Sequence, residues 1–367
     1  MKFSIYYLLF FAFTCMYCTS KKSSNPAEIS EKTTSGLPYL TYQKENLFPG
    51  NGSLLRAEDG AALEDGRIVV VDQAKRLRLI EKDGSNRPFG NFAAAGFNLD
   101  APENSKPNGL ILEPDGKHLL MCDVANGKIY RTNIASEKVE LIYDHPYGVN
   151  SIYRDKTGAI WFTQSAKSTN IKELRKEITS PKPHGAIFRM ADLSSQPVKI
   201  ADGLYFANGI TMDKSEKKLF VSETMKNKVH SFEVDVITGE ATYLEIVASI
   251  QNPDNLLIET KGRLIAALPS INQVVAVDLK NHSQHIIFEE SATAPLKIQS
   301  DSKNLVTGPL TGMFFLPDGK TIYITNLGND LLKYDYKKKW LSIVYRDDEK
   351  QITRKYFPKH LGIFYKT

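Results

Sequence analysis

Cysteine is scarce in this chain: 367 residues contain three. Two of them, Cys15 and Cys18, close an N-terminal apolar run, so beyond it Cys122 stands alone. A single cysteine forms no intrachain disulfide, and stability must come from packing. Cys122 ends the apolar stretch Leu119-Leu120-Met121-Cys122, which reads as a buried, inert thiol rather than a nucleophile. The only long apolar run, residues 3–17, is too short to span a bilayer comfortably. Dense Lys/Arg clustering interleaved with aromatics is also missing, and nucleic acid is therefore not an expected partner. Lys337-Lys338-Lys339 reads as a solvated turn. The formal charge of +5 is mild, while 42% hydrophobic and 24% charged residues suit a globular chain with a real core.

The start, Met1-Lys2 followed by the apolar run, has the pattern of a secretory signal. The polar stretch Thr19-Ser20-Lys21-Lys22-Ser23-Ser24-Asn25-Pro26 resembles the tether after the lipid-modified cysteine of bacterial lipoproteins. The expectation is an exported bacterial protein, periplasmic or anchored to a membrane through Cys15 or Cys18. Residues 1–18 would be the signal, 19–37 a polar linker and 38–367 one domain, expected to be a monomer.

What the chain does have is a repeat. Six copies open at Glu58, Asn108, Asn150, Asn208, Asp254 and Thr311, at spacings of 42 to 58 residues. Eight positions after each opening comes a glycine slot: Gly66, Gly116, Gly158, Glu216, Gly262 and Gly319, with an apolar stretch on either side. Such a period suits one four-stranded antiparallel sheet per repeat. In the second copy the strands read as 109–112, 118–123, 128–132 and 139–143, each short, aliphatic or β-branched, and bounded by Gly, Asn or Asp. Six sheets of this kind, none able to bury both faces alone, predict an all-β, six-bladed β-propeller. The longest insertion, residues 165–183, carries Ile171, Leu174 and Ile178 at helical spacing, either a lid over the channel mouth or a helix packed on the outside. Residues 87–107 and 291–309 read as long loops.

In a propeller the first strand of each sheet lines the central channel. If the glycine turn joins first strand to second, the opening residues converge at one end. Glu58, Asn108, Asn150, Asn208 and Asp254 would then meet, all offering oxygen and none offering nitrogen or sulfur as a preferred ligand. Hard cations select such a set, calcium above all, and two carboxylates balance a divalent charge. Asn, Asp and Gly also suit tight turns before strands, but turn chemistry does not favour a glutamate in the same register.

The blade Asp202-Gly-Leu-Tyr-Phe-Ala-Asn208-Gly-Ile-Thr-Met with Lys218-Leu-Phe-Val-Ser-Glu223 resembles the paraoxonases and strictosidine-synthase-like proteins, as does Pro253-Asp254-Asn255. Lys106-Pro-Asn108-Gly-Leu and Gly158-Ala-Ile-Trp-Phe-Thr163 resemble the gluconolactonase and regucalcin branch. The resemblance implies a calcium-dependent six-bladed hydrolase with Glu58, Asn150, Asn208 and Asp254 on the metal and Asn255 beside them. It assigns Asn108 to the calcium shell or to substrate contact. Ser151 and Gln164 stand where the gluconolactonase pattern has aspartate, a departure that bears on sugar-lactone specificity.

Calcium in a channel would polarise the carbonyl of a small lactone or ester, and Asp254 is the candidate for activating water or attacking directly. A serine triad is unsupported, because Gly-x-Ser-x-Gly is absent and no histidine shares the register. His118, His145, His184, His230, His282, His285 and His360 read as surface or packing residues, with His184 closest to the insertion. The rival readings are a non-catalytic ligand- or protein-binding propeller and a strictosidine-synthase-like enzyme.

Overall fold

A computed structural model of the chain describes residues 37–96, 105–290, 308–336, 340–346 and 352–358. The expected signal and nearly all of the linker lie outside the described residues, as do Lys337 to Lys339, His360 and most of the loop 291–309. The last linker residue, Leu37, already packs against core side chains.

The architecture is all-β, built from antiparallel strand sets. The first set comprises Leu55–Ala62, Ile68–Asp72, Arg76–Ile80 and Asn86–Pro88. The second is Pro107–Leu112, His118–Asp123, Lys128–Asn133 and Val139–Asp144, within two residues of every predicted boundary. The third is Val149–Arg154, Ile160–Gln164, Gly185–Met190 and Val198–Leu204, and the fourth Ala207–Met212, Lys218–Glu223, Lys228–Val234 and Ala241–Ser249. The fifth is Leu256–Ile258, Leu264–Leu268, Gln273–Val277 and Gln284–Glu289, extended by Leu40–Thr41 in parallel. The sixth, Leu310–Phe315, Thr321–Asn329 and Leu331–Asp335, is completed by Leu47–Phe48 from the N-terminal side. Thr321–Asn329 also pairs with Leu55–Ala62, so the sixth set is hydrogen-bonded to the first. The opening strand of each set packs on that of the next, and the sixth packs back on the first. A hairpin, Trp340–Arg346 with Ile352–Pro358, follows.

Both faces of each second strand are buried, which is why these strands read as unbroken apolar runs rather than as alternating ones. Side chains of a strand point alternately to its two faces. Leu119 and Met121 accordingly meet Val69 and Val71 of the first set, whereas Leu120 and Cys122 meet Ile160 and Phe162 of the third. Trp161 turns the other way, onto Leu219 and Val221 of the fourth.

All six glycine slots adopt positive φ, from 55° at Glu216 to 94° at Gly158. In each, the slot N–H bonds the carbonyl three residues earlier. Glu216 takes the left-handed region at the steric cost a side chain carries there, and its carboxylate accepts the Lys156 N–H at 3.1 Å. The loop 87–107 holds more than a loop: Arg87 and Pro88 finish an edge strand, and a 3₁₀ turn spans Ala93–Ala95.

Glycines that follow the opening residues do something different. A Cβ on Gly209 would lie 2.5 Å from the Asp254 carbonyl oxygen, and one on Gly109 would lie 2.9 Å from the Ser151 Cα. The Asn-Gly pairs therefore mark close approach of neighbouring opening strands rather than turns. Gly209→Ala is expected to cost about 2–3 kcal/mol by overpacking. Gly262→Ala, with open space but a φ of +84°, should cost about 1–2 kcal/mol. Urea midpoints of the two variants check the order.

Candidate functional site

Five of the opening strands break their own ladder where the repeat begins. Pairing skips between Ala57 and Asp59, Pro107 and Leu110, Val149 and Ile152, Ala207 and Ile210, and Leu310 and Gly312. Glu58, Asn108, Asn150, Asn208 and Thr311 occupy these bulges. In the fifth set Asp254 and Asn255 sit just before Leu256–Ile258, tied to Ala267 by Asp254 N–H to Ala267 O at 2.9 Å and Ala267 N–H to Asn255 O at 3.2 Å. A bulge bends the strand and re-aims one side chain, a device common beside active sites.

The re-aimed side chains meet. Asn108 Nδ2 donates to Glu58 Oε1 and to Asn150 Oδ1, each at 3.1 Å, and Asn255 Nδ2 lies 3.4 Å from the same Glu58 oxygen. Asn208 Nδ2 donates to Thr224 Oγ1 at 3.2 Å, and the Asn208 amide lies close enough to the Asp254 carboxyl to pull its pKa down against burial. Glu58, Asn108, Asn150, Asn208, Asp254 and Asn255 are all buried. Thr311, the opening residue without a carboxylate or amide, donates its hydroxyl to the Glu58 carbonyl oxygen at 2.7 Å.

Three oxygens of this group, Glu58 Oε2, Asn208 Oδ1 and Asn255 Oδ1, are buried with no hydrogen-bond partner. Burying an acceptor unpaired is costly, and three from three strand sets in one place form the oxygen-only donor set that suits a hard divalent cation. The electrostatics agree. Burial, then the charges of Asp254 and Asp59, push the Glu58 carboxyl well above its ordinary range, with Asn255 and Arg56 pulling back. Burial pushes Asp254 up to about 8 and Asp59 up to about 7.

Asp59 is a residue the repeat did not single out. Its Oδ2 accepts the Leu110 N–H at 2.8 Å, which fastens the first bulge to the second, and the only sequence signal was a second acid after Glu58. Arg56 was missed as well. It takes a left-handed φ of 64° and donates to Gln73 Oε1 at 3.0 Å, while Gln73 Nε2 donates to Asn108 Oδ1 at 2.9 Å. One cation is thereby linked to Glu58 through two neutral amides.

The insertion forms helix α1, Ile171–Thr179, capped by Asn170, whose side chain accepts the Lys172 N–H at 2.9 Å. Leu174 packs with Val124, Ala166 and Phe206, residues next to the strand ends that carry the bulges, so α1 lies over that end of the second, third and fourth sets. His184 bonds Glu177 of α1 at 2.6 Å and anchors the helix. His145 bonds Gln164 at 2.9 Å, and burial lowers its pKa. His230 bonds Glu223 at 2.8 Å, and His118 bonds Asp115 at 2.7 Å. Glu113, Asp115 and His118 also cluster, but at the other end of their strands, where Arg131 and Arg154 both pair with Glu113. Two guanidinium groups already neutralise those acids.

Residues 143–305 match the family model described as the SMP-30/gluconolactonase/LRE-like region. Strictosidine synthase-like 6 of Arabidopsis thaliana is 23% identical over 266 residues, 69% of this chain and 67% of that protein. Lactonase drp35 of Staphylococcus aureus is 22% identical over 290 residues, 73% of this chain and 78% of that protein. The solved regucalcin of Agrobacterium tumefaciens, described as calcium-binding, superposes with a TM-score of 0.58 at 14% identity, covering 81% of this chain and 94% of that one. At that identity the likeness shows the fold, a β-propeller. The matches fall in the groups that the repeat residues resemble.

The raised carboxyls carry a pH signature. An acid whose folded pKa exceeds its unfolded value stabilises the fold below the unfolded pKa, and that stability is lost as pH rises through the folded pKa. In chelator, thermal stability is expected to fall between pH 4 and about 8 on account of Asp254 and Asp59. Asp254→Asn should flatten the upper part of that decline, as melting curves across the range would show.

Proposed function

We propose that this SMP-30/gluconolactonase-like chain is a six-bladed β-propeller that hydrolyses a small lactone or ester with calcium held by Glu58, Asn150, Asn208 and Asp254, and with Asn255 beside them. The observation that carries the reading is the meeting of the three unpartnered oxygens, Glu58 Oε2, Asn208 Oδ1 and Asn255 Oδ1, beside the Asp254 carboxylate. Lactonase and calcium-binding relatives support it. Bound there, calcium would supply a Lewis acid that polarises the substrate carbonyl and offsets charge developing on its oxygen.

The remaining work falls to the chain itself. Asp254 takes the proton of the attacking water at its carboxylate, with the Asn208 amide beside it favouring the ionised form. Substrate contact at Asn108 is carried by the family resemblance; in the structure its Oδ1 accepts from Gln73 and its Nδ2 donates to Glu58 and Asn150, so it also holds two of the ligand side chains. Helix α1, held by Leu174 on Val124 and Phe206, restricts water at the mouth. Ser151 and Gln164 do not furnish acids here. Gln164 instead donates to the His184 carbonyl at 2.8 Å and accepts from His145, so it positions the insertion.

The purified chain is expected to bind calcium in calorimetry and to hydrolyse members of a panel of lactones and aryl esters, with activity lost in chelator. Glu58→Gln and Asp254→Asn should each lower kcat/KM by about 100-fold or more. A chain that holds no calcium refutes the metal. Calcium bound without hydrolysis leaves the ligand-binding propeller, or a condensation of the strictosidine-synthase type if an amine substrate reacts. The proposal includes export with a lipid on Cys15 or Cys18, and the mass of the mature N-terminus is expected to show the loss of the signal and the added lipid.

A further inference from the structure

Four second strands carry a small donor at the position next to the end of their pairing with the opening strand: Cys122, Thr163, Ser222 and Thr325. All are fully buried. None bonds only within its own set. Cys122 Sγ donates to the Asn150 carbonyl at 3.2 Å, Thr163 Oγ1 to the Asn208 carbonyl at 2.6 Å, Ser222 Oγ to the Asp254 carbonyl at 2.8 Å, and Thr325 Oγ1 to the Glu58 carbonyl at 2.8 Å. Each bond crosses from one strand set to the next, and the last crosses from the sixth to the first. At the equivalent places the first set has Val71 and the fifth has Ala267, which cannot donate. The openings that follow those two are Asn108 and Thr311.

The pattern is selective. Six openings exist, and the four that receive a cross-set donor are Glu58, Asn150, Asn208 and Asp254. A bulge leaves its carbonyl outside the ladder, and a buried unpaired carbonyl needs a partner. A neighbouring main chain supplies that partner at Thr311, whose carbonyl accepts the Asn255 N–H at 3.1 Å. Where a side chain supplies it, the peptide of the bulged residue is fixed from behind while its own side chain is aimed inward. Thr163 does this from both directions, since its hydroxyl also accepts the Ser151 N–H of its own bulge at 3.1 Å.

We infer that Cys122, Thr163, Ser222 and Thr325 are positioning residues for the metal, each holding the peptide of one ligand from the adjoining strand set. The inference rests on the calcium reading, and it separates Asn108, which has no such donor, from the metal ligands. Groups that hold a ligand in orientation set metal affinity even though they never touch the ion.

Calcium titration of the full chain by calorimetry tests this. Thr163→Val keeps shape and removes the hydroxyl, and it is expected to weaken calcium binding roughly tenfold, as should Ser222→Ala. Thr163→Ser restores the donor and should restore affinity, an outcome that a merely structural role for bulk would not give. Cys122→Ser replaces a weak donor with a stronger one and should retain affinity or tighten it. Thr132→Val is the control, because the Thr132 hydroxyl is buried without a partner and far from any bulge carbonyl in the hydrogen-bond pattern. Its affinity should match wild type. Tight binding by wild type with unchanged affinity in both Thr163→Val and Ser222→Ala overturns the positioning role alone. A wild-type chain that binds no calcium overturns the calcium reading and this inference with it.

Discussion

Opening strands that converge on one another leave no room for side chains on their flanks, and this crowding governs the rest of the structure. Glycine is the local answer at positions 109, 209 and 312, where an added Cβ would sit within about 3 Å of a neighbouring strand or of the Asn255 amide. Crowding of backbone is also what brings six equivalent positions within reach of each other. The ladder is broken at five of those positions, and each break turns one polar side chain toward the centre. Close approach and bulge are thus two sides of one arrangement: the first brings the strands together, and the second chooses which residue looks inward.

That arrangement concentrates negative charge. Glu58, Asp59 and Asp254 share one region, and Arg56 acts on Glu58 both by its charge and through the chain Gln73 to Asn108. Burial, with mutual repulsion added at Glu58 and Asp254, raises all three carboxyls, so without a counter-ion the group holds protons near neutral pH that free carboxyls would release. The contrast with Glu113 is instructive. There the acid is as deeply buried, but Arg131 and Arg154 grip both of its oxygens, and no acceptor is left over. One acid cluster is closed by guanidinium groups, whereas beside the other three oxygens find no hydrogen-bond partner among the described residues.

The repeat made much of this legible. Its glycine slot identified the turn between first and second strands in all six copies, because a positive φ is a strong local demand and five of the copies meet it with glycine. The apolar runs marked the second strands, and Asn170 with Ile171 and Leu174 marked α1. The bulges were not legible. A skipped pair is a property of two strands, and Asn-Gly reads alike as a turn or as an interrupted ladder. Cys122 was legible as buried and inert, which the raised thiol pKa, due mainly to burial, supports. Its bond to the Asn150 carbonyl was not, since that needs the next strand set in place. Asp59 escaped for the same reason: it acts on Leu110, in another set.

Cross-set bonds also separate the tasks of adjacent residues on one strand. Gln164, at the end of its strand, spends its side chain on His145 and on the His184 carbonyl where the insertion ends. Thr163, one residue earlier, bonds two bulges at once. Alternation along a single strand therefore divides adjacent residues between two tasks. Thr163, on the face toward the fourth set, ties the bulges of two sets together, whereas Gln164, on the opposite face, bonds His145 and the His184 carbonyl. A change at Gln164 would then act on His145 and the insertion, while the peptides of Glu58, Asn150, Asn208 and Asp254 stay held by Thr325, Cys122, Thr163 and Ser222 behind them.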